Sequence, residues 1–185
     1  PIVETKQKGI FEEIGQDVFH YSGIEQICRE GKKAPNLTML KQQFRMREEI
    51  CELINPFMYH GQLVTADLKR KQDNFSIIPE INKNILIVDT SKIFPFAQKK
   101  GTSYYNLMHA IATRNLISII NAQPDLKGKD IGVCAPYAAQ AKMHHAINRG
   151  NQNVTAGTVH RFQGDEKDIM IIDTVDSLGD AQVGF

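Results

Sequence analysis

A rhythm that starts near Asn36 constrains this chain most: short apolar runs, each followed by a stretch with apolar residues at helical spacing. Ile85-Leu86-Ile87-Val88-Asp89, Ile131-Gly132-Val133-Cys134-Ala135 and Ile169-Met170-Ile171-Ile172 are brief apolar runs that do not alternate with polar residues. Continuous apolar runs of that length read as strands covered on both faces, the habit of parallel sheets. Met46, Ile50, Leu53, Ile54 and Phe57 fall on one helical stripe, and so do Leu107, Ala110, Ile111 and Ile117. Another helix is expected after Pro136, whose fixed φ suits a first turn, running to Arg149 and stopping at Gly150. Strands alternating with helices imply right-handed βαβ units, hence an α/β fold with a largely parallel sheet and helices on both faces.

Residues 37–43 and 154–157 fit further strands, the last strand is expected over 168–175, and Ser103 is a candidate N-cap for a helix over 104–121. Gly9, Gly15, Gly23 and Gly31 punctuate residues 1–35, an irregular lead-in with one short helix over 23–30. The domain proper is expected to span residues 36–185. The stretch 55–84, with Leu68-Lys69-Arg70-Lys71, breaks the rhythm as a polar excursion.

Composition bounds the function. With 185 residues, 42% of them hydrophobic, the chain can bury one real core and does not read as disordered. Lys and Arg total 22 against 21 Asp and Glu, so any nucleic-acid site must be local. Cys28, Cys51 and Cys134 lie far apart in no zinc or redox spacing, as in a reduced, cytoplasmic protein. The six histidines show no metal spacing, and no metal ligand is assigned. No run approaches a membrane span and no signal peptide is seen, so no membrane partner is expected. The chain opens Pro1-Ile2-Val3 without methionine, as a piece of something longer would.

Ligands of open parallel sheets gather at the carboxyl ends of the strands. Three such junctions hold unusual residues: Gln43-Phe44-Arg45-Met46, Ala135-Pro136-Tyr137, and the run from Gly157 to Glu166. In the third, Thr158 suits an N-cap and Gly164 a left-handed turn end, which would present backbone N–H groups to a phosphate. A capped turn with no ligand explains the same residues. Arg45 offers a fixed charge and a donor fork suited to phosphate or carboxylate, although a surface ion pair fits as well. Tyr137 could stack on a base or pack on its own helix. No G-x-x-x-x-G-K-[ST] loop exists, and no acidic pair marks a magnesium site.

These three junctions, in this order, resemble one family. Leu40-x-x-Gln43-Phe44-Arg45-Met46 followed by Tyr59-x-Gly61-x-Leu63 is similar to the helicase motif L-x-x-Q-Y-R-M and its continuation. Ala135-Pro136-Tyr137-x-x-Gln140 resembles T-P-Y-x-x-Q, and the run from Thr158 to Asp168 resembles T-V-D-x-F-Q-G-x-E-x-D. The family is the superfamily 1 helicases of the RNA-surveillance and nuclease-helicase type. The resemblance implies a second, RecA-like motor domain without its own phosphate loop. ATP and Mg would be held mainly by the first RecA-like domain of the same parent chain.

By the same resemblance Arg45 is the catalytic arginine reaching the γ-phosphate, Glu166 contacts the ribose, and Gln43 belongs to the ATP side. Gln163 and Gly164 join that side to the track of a single-stranded DNA or RNA. Pro136, Tyr137, Thr158 and His160 would touch the strand. Phe44, Ala135, His160 and Asp176 depart from the usual tyrosine, threonine, aspartate and arginine. The chain stops at Gly184-Phe185, before the family's closing arginine motif, so the isolated chain is expected to lack ATPase activity. Two other readings stand beside this one: a non-catalytic module that docks nucleic acid or protein, and a dinucleotide enzyme, which would need a glycine-rich first turn.

Overall fold

A computed structural model describes residues 17–35, 37–66, 77, 78, 83–93 and 95–179. The lead-in before Asp17, the basic run Leu68-Lys69-Arg70-Lys71 and the closing Gly184-Phe185 lie outside the described residues. The chain divides into two compact units, Pro1–Gln72 and Asp73–Phe185.

In the first unit, helix α1 (Val18–Tyr21) is capped by Asp17, whose carboxylate accepts the N–H groups of Phe19 and His20. Helix α2 (Ile24–Arg29) is the short helix expected over 23–30; it starts after Gly23 and is followed by Gly31, both at positive φ. Strand β1 (Gln42–Gln43) leads into helix α3 (Glu48–Met58), which returns to strand β2 (Val64–Thr65), parallel to β1. This is one βαβ unit, with Glu48 and Glu49 placed favourably at the positive end of the α3 dipole. Asn55 closes the return, donating from Nδ2 to the Leu63 carbonyl (2.8 Å) and accepting the Leu63 N–H (2.9 Å).

One local expectation is corrected here. Only the last two residues of 37–43 form strand, because pairing with β2 begins at Gln42, although Leu37 and Met39 are half-buried and Thr38 and Leu40 exposed as the alternation predicts. Helix α3 ends at Met58, with Pro56 in its last turn, and the chain turns at His60 and Gly61, with φ of 51° and 73°.

The second unit begins with an antiparallel hairpin of β3 (Phe96–Lys100) and β4 (Ser103–Asn106), turning at Gly101 with φ 64°. Helix α4 (Leu107–Ala122) follows directly, its N-cap being Asn106, whose Oδ1 accepts the His109 N–H (3.1 Å). Ser103 therefore does not cap this helix: residues 104–106 stay extended because they pair with β3. The chain then builds β5 (Ile131–Cys134), α5 (Ala138–Ile147), β6 (Val154–Gly157), α6 (Val159–Phe162) and β7 (Ile169–Ile172). These strands form a parallel sheet in the order β6-β5-β7. A last strand, β8 (Leu178–Gly179), pairs parallel with β3.

The architecture is the expected α/β fold with a parallel sheet and helices. Its core joins Ile117 and Ile120 of α4, and Leu126 beyond it, to Ile131, Val133 and Ile169 of the sheet. Burying side chains of that size stabilises by roughly 1.5–3 kcal/mol each. One expected strand is absent: Ile85–Asp89 pairs with no neighbouring strand among the described residues, and Ile87 is 94% exposed. Apolar character predicts burial, but a strand also needs a neighbour for its backbone groups. Helix α5 starts two residues after Pro136 and ends at Ile147, shorter than the expected run to Arg149.

Candidate nucleotide and nucleic-acid site

Gln43 ends β1 and is buried. Its Oε1 accepts the N–H groups of Arg45 (2.9 Å) and Met46 (2.7 Å). Its Nε2 donates to the Met46 carbonyl (2.8 Å) and to Thr65 Oγ1 (2.7 Å). A side-chain amide has two donors and two lone pairs, and all four are engaged inside the first unit. Gln43 thus builds the turn and fixes the backbone of the exposed Arg45. Its own amide keeps no group for a nucleotide.

In the second unit three strand ends lie side by side. The Ala135 N–H donates to the Gly157 carbonyl (3.1 Å), and the Asp173 N–H donates to the Cys134 carbonyl (2.9 Å). Pro136-Tyr137, Thr158 and the turn 173–177 therefore share the carboxyl edge of the sheet, where such folds collect ligands. Tyr137 stands at the N-cap position of α5 without a capping side-chain bond. The Ala139 N–H is instead taken by Ser103 Oγ (3.0 Å), so Ser103 caps α5 rather than α4. The Tyr137 ring packs on Tyr104 with centroids 5.2 Å apart, tilted 60°. Its hydroxyl donates to Asp176 Oδ1 (3.2 Å).

Thr158 holds the extended backbone of an N-cap, but its side chain makes no capping bond. The turn beyond it is set by two glycines. Gly164 sits at φ 85°. A Cβ on Gly157 would lie 2.3 Å from Arg161 Cδ and 2.9 Å from Arg161 Cβ, so only glycine lets that side chain cross the strand end. His160, Gln163, Gly164 and Glu166 are all exposed. His160 and Gln163 border an open, largely apolar groove of about 470 Å³ floored by Cys134, Phe162, Met170 and Ile172. Burial pushes the Cys134 thiol up from its ordinary range.

Two features of the second unit were not read from the sequence. Lys167 donates to Asp130 Oδ2 (2.8 Å) and ion-pairs with Asp165 Oδ2 (3.2 Å), and these carboxylates raise its pKa. Asp168 Oδ2 accepts the Asp130 N–H (2.9 Å), and Asp165 Oδ1 accepts the Glu166 N–H (3.0 Å). The charged run around Glu166 is thereby fastened to the start of β5.

The second is a buried knot around Asp173. Its Oδ1 accepts from His109 Nδ1 (2.8 Å) and the Val175 N–H (2.8 Å); its Oδ2 accepts from His144 Nε2 (2.7 Å) and Gln140 Nε2 (2.6 Å). Burial raises the Asp173 pKa, but these bonds outweigh it and hold the carboxyl well below the usual range. Gln140 also pairs with the Asn106 backbone, accepting its N–H (2.8 Å) and donating to its carbonyl (3.1 Å). Thr90 Oγ1 meets the other nitrogen of His109 at 3.0 Å. Among the described residues no three His, Cys, Asp or Glu side chains are arranged to hold a metal ion. Among them, too, no helix is long and apolar enough to cross a membrane.

The model of the family described as "AAA domain" matches residues 19–185. The rat protein named "DNA-binding protein SMUBP-2" is 26% identical over 156 residues, covering 80% of this chain and 16% of that protein. The mouse protein "5'-3' DNA helicase ZGRF1" is 28% identical over 183 residues, covering 92% of this chain and 9% of its own length. The fission-yeast (Schizosaccharomyces pombe) protein "DNA replication ATP-dependent helicase/nuclease dna2" is 24% identical over 169 residues, or 80% of this chain and 12% of that protein. The chain thus spans less than a fifth of the length of these relatives.

Proposed function

Since the chain belongs to the AAA domain family, and so to the superfamily 1 helicases, we propose that residues 36–185 act as the second RecA-like motor domain of an ATP-dependent helicase. The observation that carries this reading is the shared carboxyl edge, where Pro136-Tyr137 and Thr158 stand on adjacent parallel strands.

ATP with its magnesium, held mainly on a first motor domain of the parent, supplies the activated phosphoanhydride. This chain's contribution is charge and position. Arg45, its backbone fixed by Gln43, acts as the arginine finger that stabilises charge on the transferring phosphoryl group. Glu166, on its fastened turn, accepts hydrogen bonds from the ribose, and Gln163 and Gly164 connect that contact to the track. Pro136, Tyr137, Thr158 and His160 contact a single strand of DNA or RNA through stacking and backbone contacts.

The test is Arg45→Ala in the full-length parent. It should lower kcat by about a thousandfold while leaving ATP affinity within a few fold. A kcat within about threefold of wild type would remove the finger role. The isolated chain should show no ATPase activity.

A further inference from the structure

The turn 173–177 is held against strain. Val175 is fully buried at φ 67°, a region that a β-branched residue enters only where the surroundings impose it. Three bonds impose it here. The Val175 N–H donates to Asp173 Oδ1 (2.8 Å), and Asn106 Nδ2 donates to the Val175 carbonyl (3.1 Å) and to Ser177 Oγ (2.9 Å). The next residue, Asp176, is half-buried and accepts the Tyr137 hydroxyl through Oδ1. A carboxylate is therefore fixed beside the Tyr104–Tyr137 pair, on the edge that also carries Thr158.

That is an odd partner for a polyanion. A phosphodiester approaching the Tyr137 ring meets a fixed negative charge, and the tyrosine hydroxyl that could bond to a phosphate oxygen is already donated to Asp176. We propose that Asp176 is an electrostatic brake on single-stranded nucleic acid at this edge, weakening phosphate contact so that stacking dominates the grip. The inference rests on the reading of the edge as a nucleic-acid track. Like charges a few ångströms apart near a protein surface repel enough to change affinity by roughly three- to tenfold, and salt screens the effect.

Asp176→Asn keeps the shape and an oxygen for the Tyr137 hydroxyl while removing the charge. Binding of a fluorescent 20-nucleotide poly-dT and a matching poly-U is measured by anisotropy at 50 and 300 mM salt, for wild type, Asp176→Asn and Tyr137→Ala. Thermal melting checks that each is folded, and Asp176→Ser replaces the Asn variant if that one does not fold. The charge-free variant should bind roughly three- to tenfold tighter at 50 mM, with most of the gain gone at 300 mM. Tyr137→Ala should bind more weakly than wild type. If Tyr137→Ala weakens binding but Asp176→Asn does not tighten it, the brake is wrong and the track stands. A gain that persists undiminished at 300 mM would mean packing rather than charge, and also overturns the brake. If Tyr137→Ala binds as wild type, or no variant binds at 50 mM, the track reading fails and the brake fails with it.

Discussion

His144 and Asp173 meet at 2.7 Å through Nε2 and Oδ2, with both side chains buried and 29 positions apart in the chain. This bond belongs to the knot that joins α4, α5 and the end of β7. Asp173→Ala would leave His109 Nδ1, His144 Nε2, Gln140 Nε2 and the Val175 N–H without their shared acceptor. Unmet buried donors of this kind destabilise by about 1–3 kcal/mol each, with a total of about 3 kcal/mol or more expected here. Urea titration of the variant measures it. A loss under about 1 kcal/mol would show that the knot holds little.

The same carboxylate sets an acid limit. Its pKa is lowered on folding, so below about pH 4 the unfolded chain takes up the proton first. The stabilisation is fully present above the unfolded value of about 3.9 and is lost as pH falls through the folded value. Asp173→Asn should therefore be less stable than wild type at pH 6, and the gap should narrow towards pH 3. Urea midpoints at pH 6, 4 and 3 measure this, and a constant gap would contradict it.

Gln43→Ala is expected to cost about 1–3 kcal/mol in the first unit, since it removes both acceptor bonds to the 45–46 backbone and both amide donations. The local signature is proteolytic. Trypsin should cut after Arg45 and Arg47 several times faster than in wild type, read by mass spectrometry. Equal rates would mean that the turn is held by other contacts.

Gly157→Ala puts a methyl against the base of the Arg161 side chain, and the short helix α6 must move. Overpacking of this kind costs about 1–3 kcal/mol. Arg161→Ala should recover part of that loss, since the 2.3 Å contact is with Cδ while the 2.9 Å contact with Cβ remains. Additive melting shifts in the double variant would rule out this contact as the cause.

The parallel sheet was legible because Ile131–Cys134 and Ile169–Ile172 are runs whose residues have no polar alternative. Val154–Gly157 is legible to the residue, since the turn chemistry of Thr158 and Gly164 marks where the strand must stop. Less legible was anything fixed by partners distant in sequence. Ser103 looks like the cap of the next helix, yet its hydroxyl serves Ala139, 36 positions on. The hairpin at Gly101 has a local signal in Lys100-Gly101-Thr102, but the same three residues also look like a fragment of a phosphate loop. Gln43 stands out as a motif letter, but its saturated amide emerges only once Thr65 is beside it. Asp173 gave no signal, because His109 and His144 lie 64 and 29 positions from it.

Ser103 and Gln140 couple two elements. Gln140 engages both backbone groups of Asn106, as a neighbouring strand would, while Ser103 holds the first turn of α5. Hairpin and helix are thus one opening unit. In native-state hydrogen exchange, amides of β4 and the start of α5 should share a single opening free energy and a common denaturant dependence. Neither element can then loosen to release or reposition Tyr137 while the other stays closed.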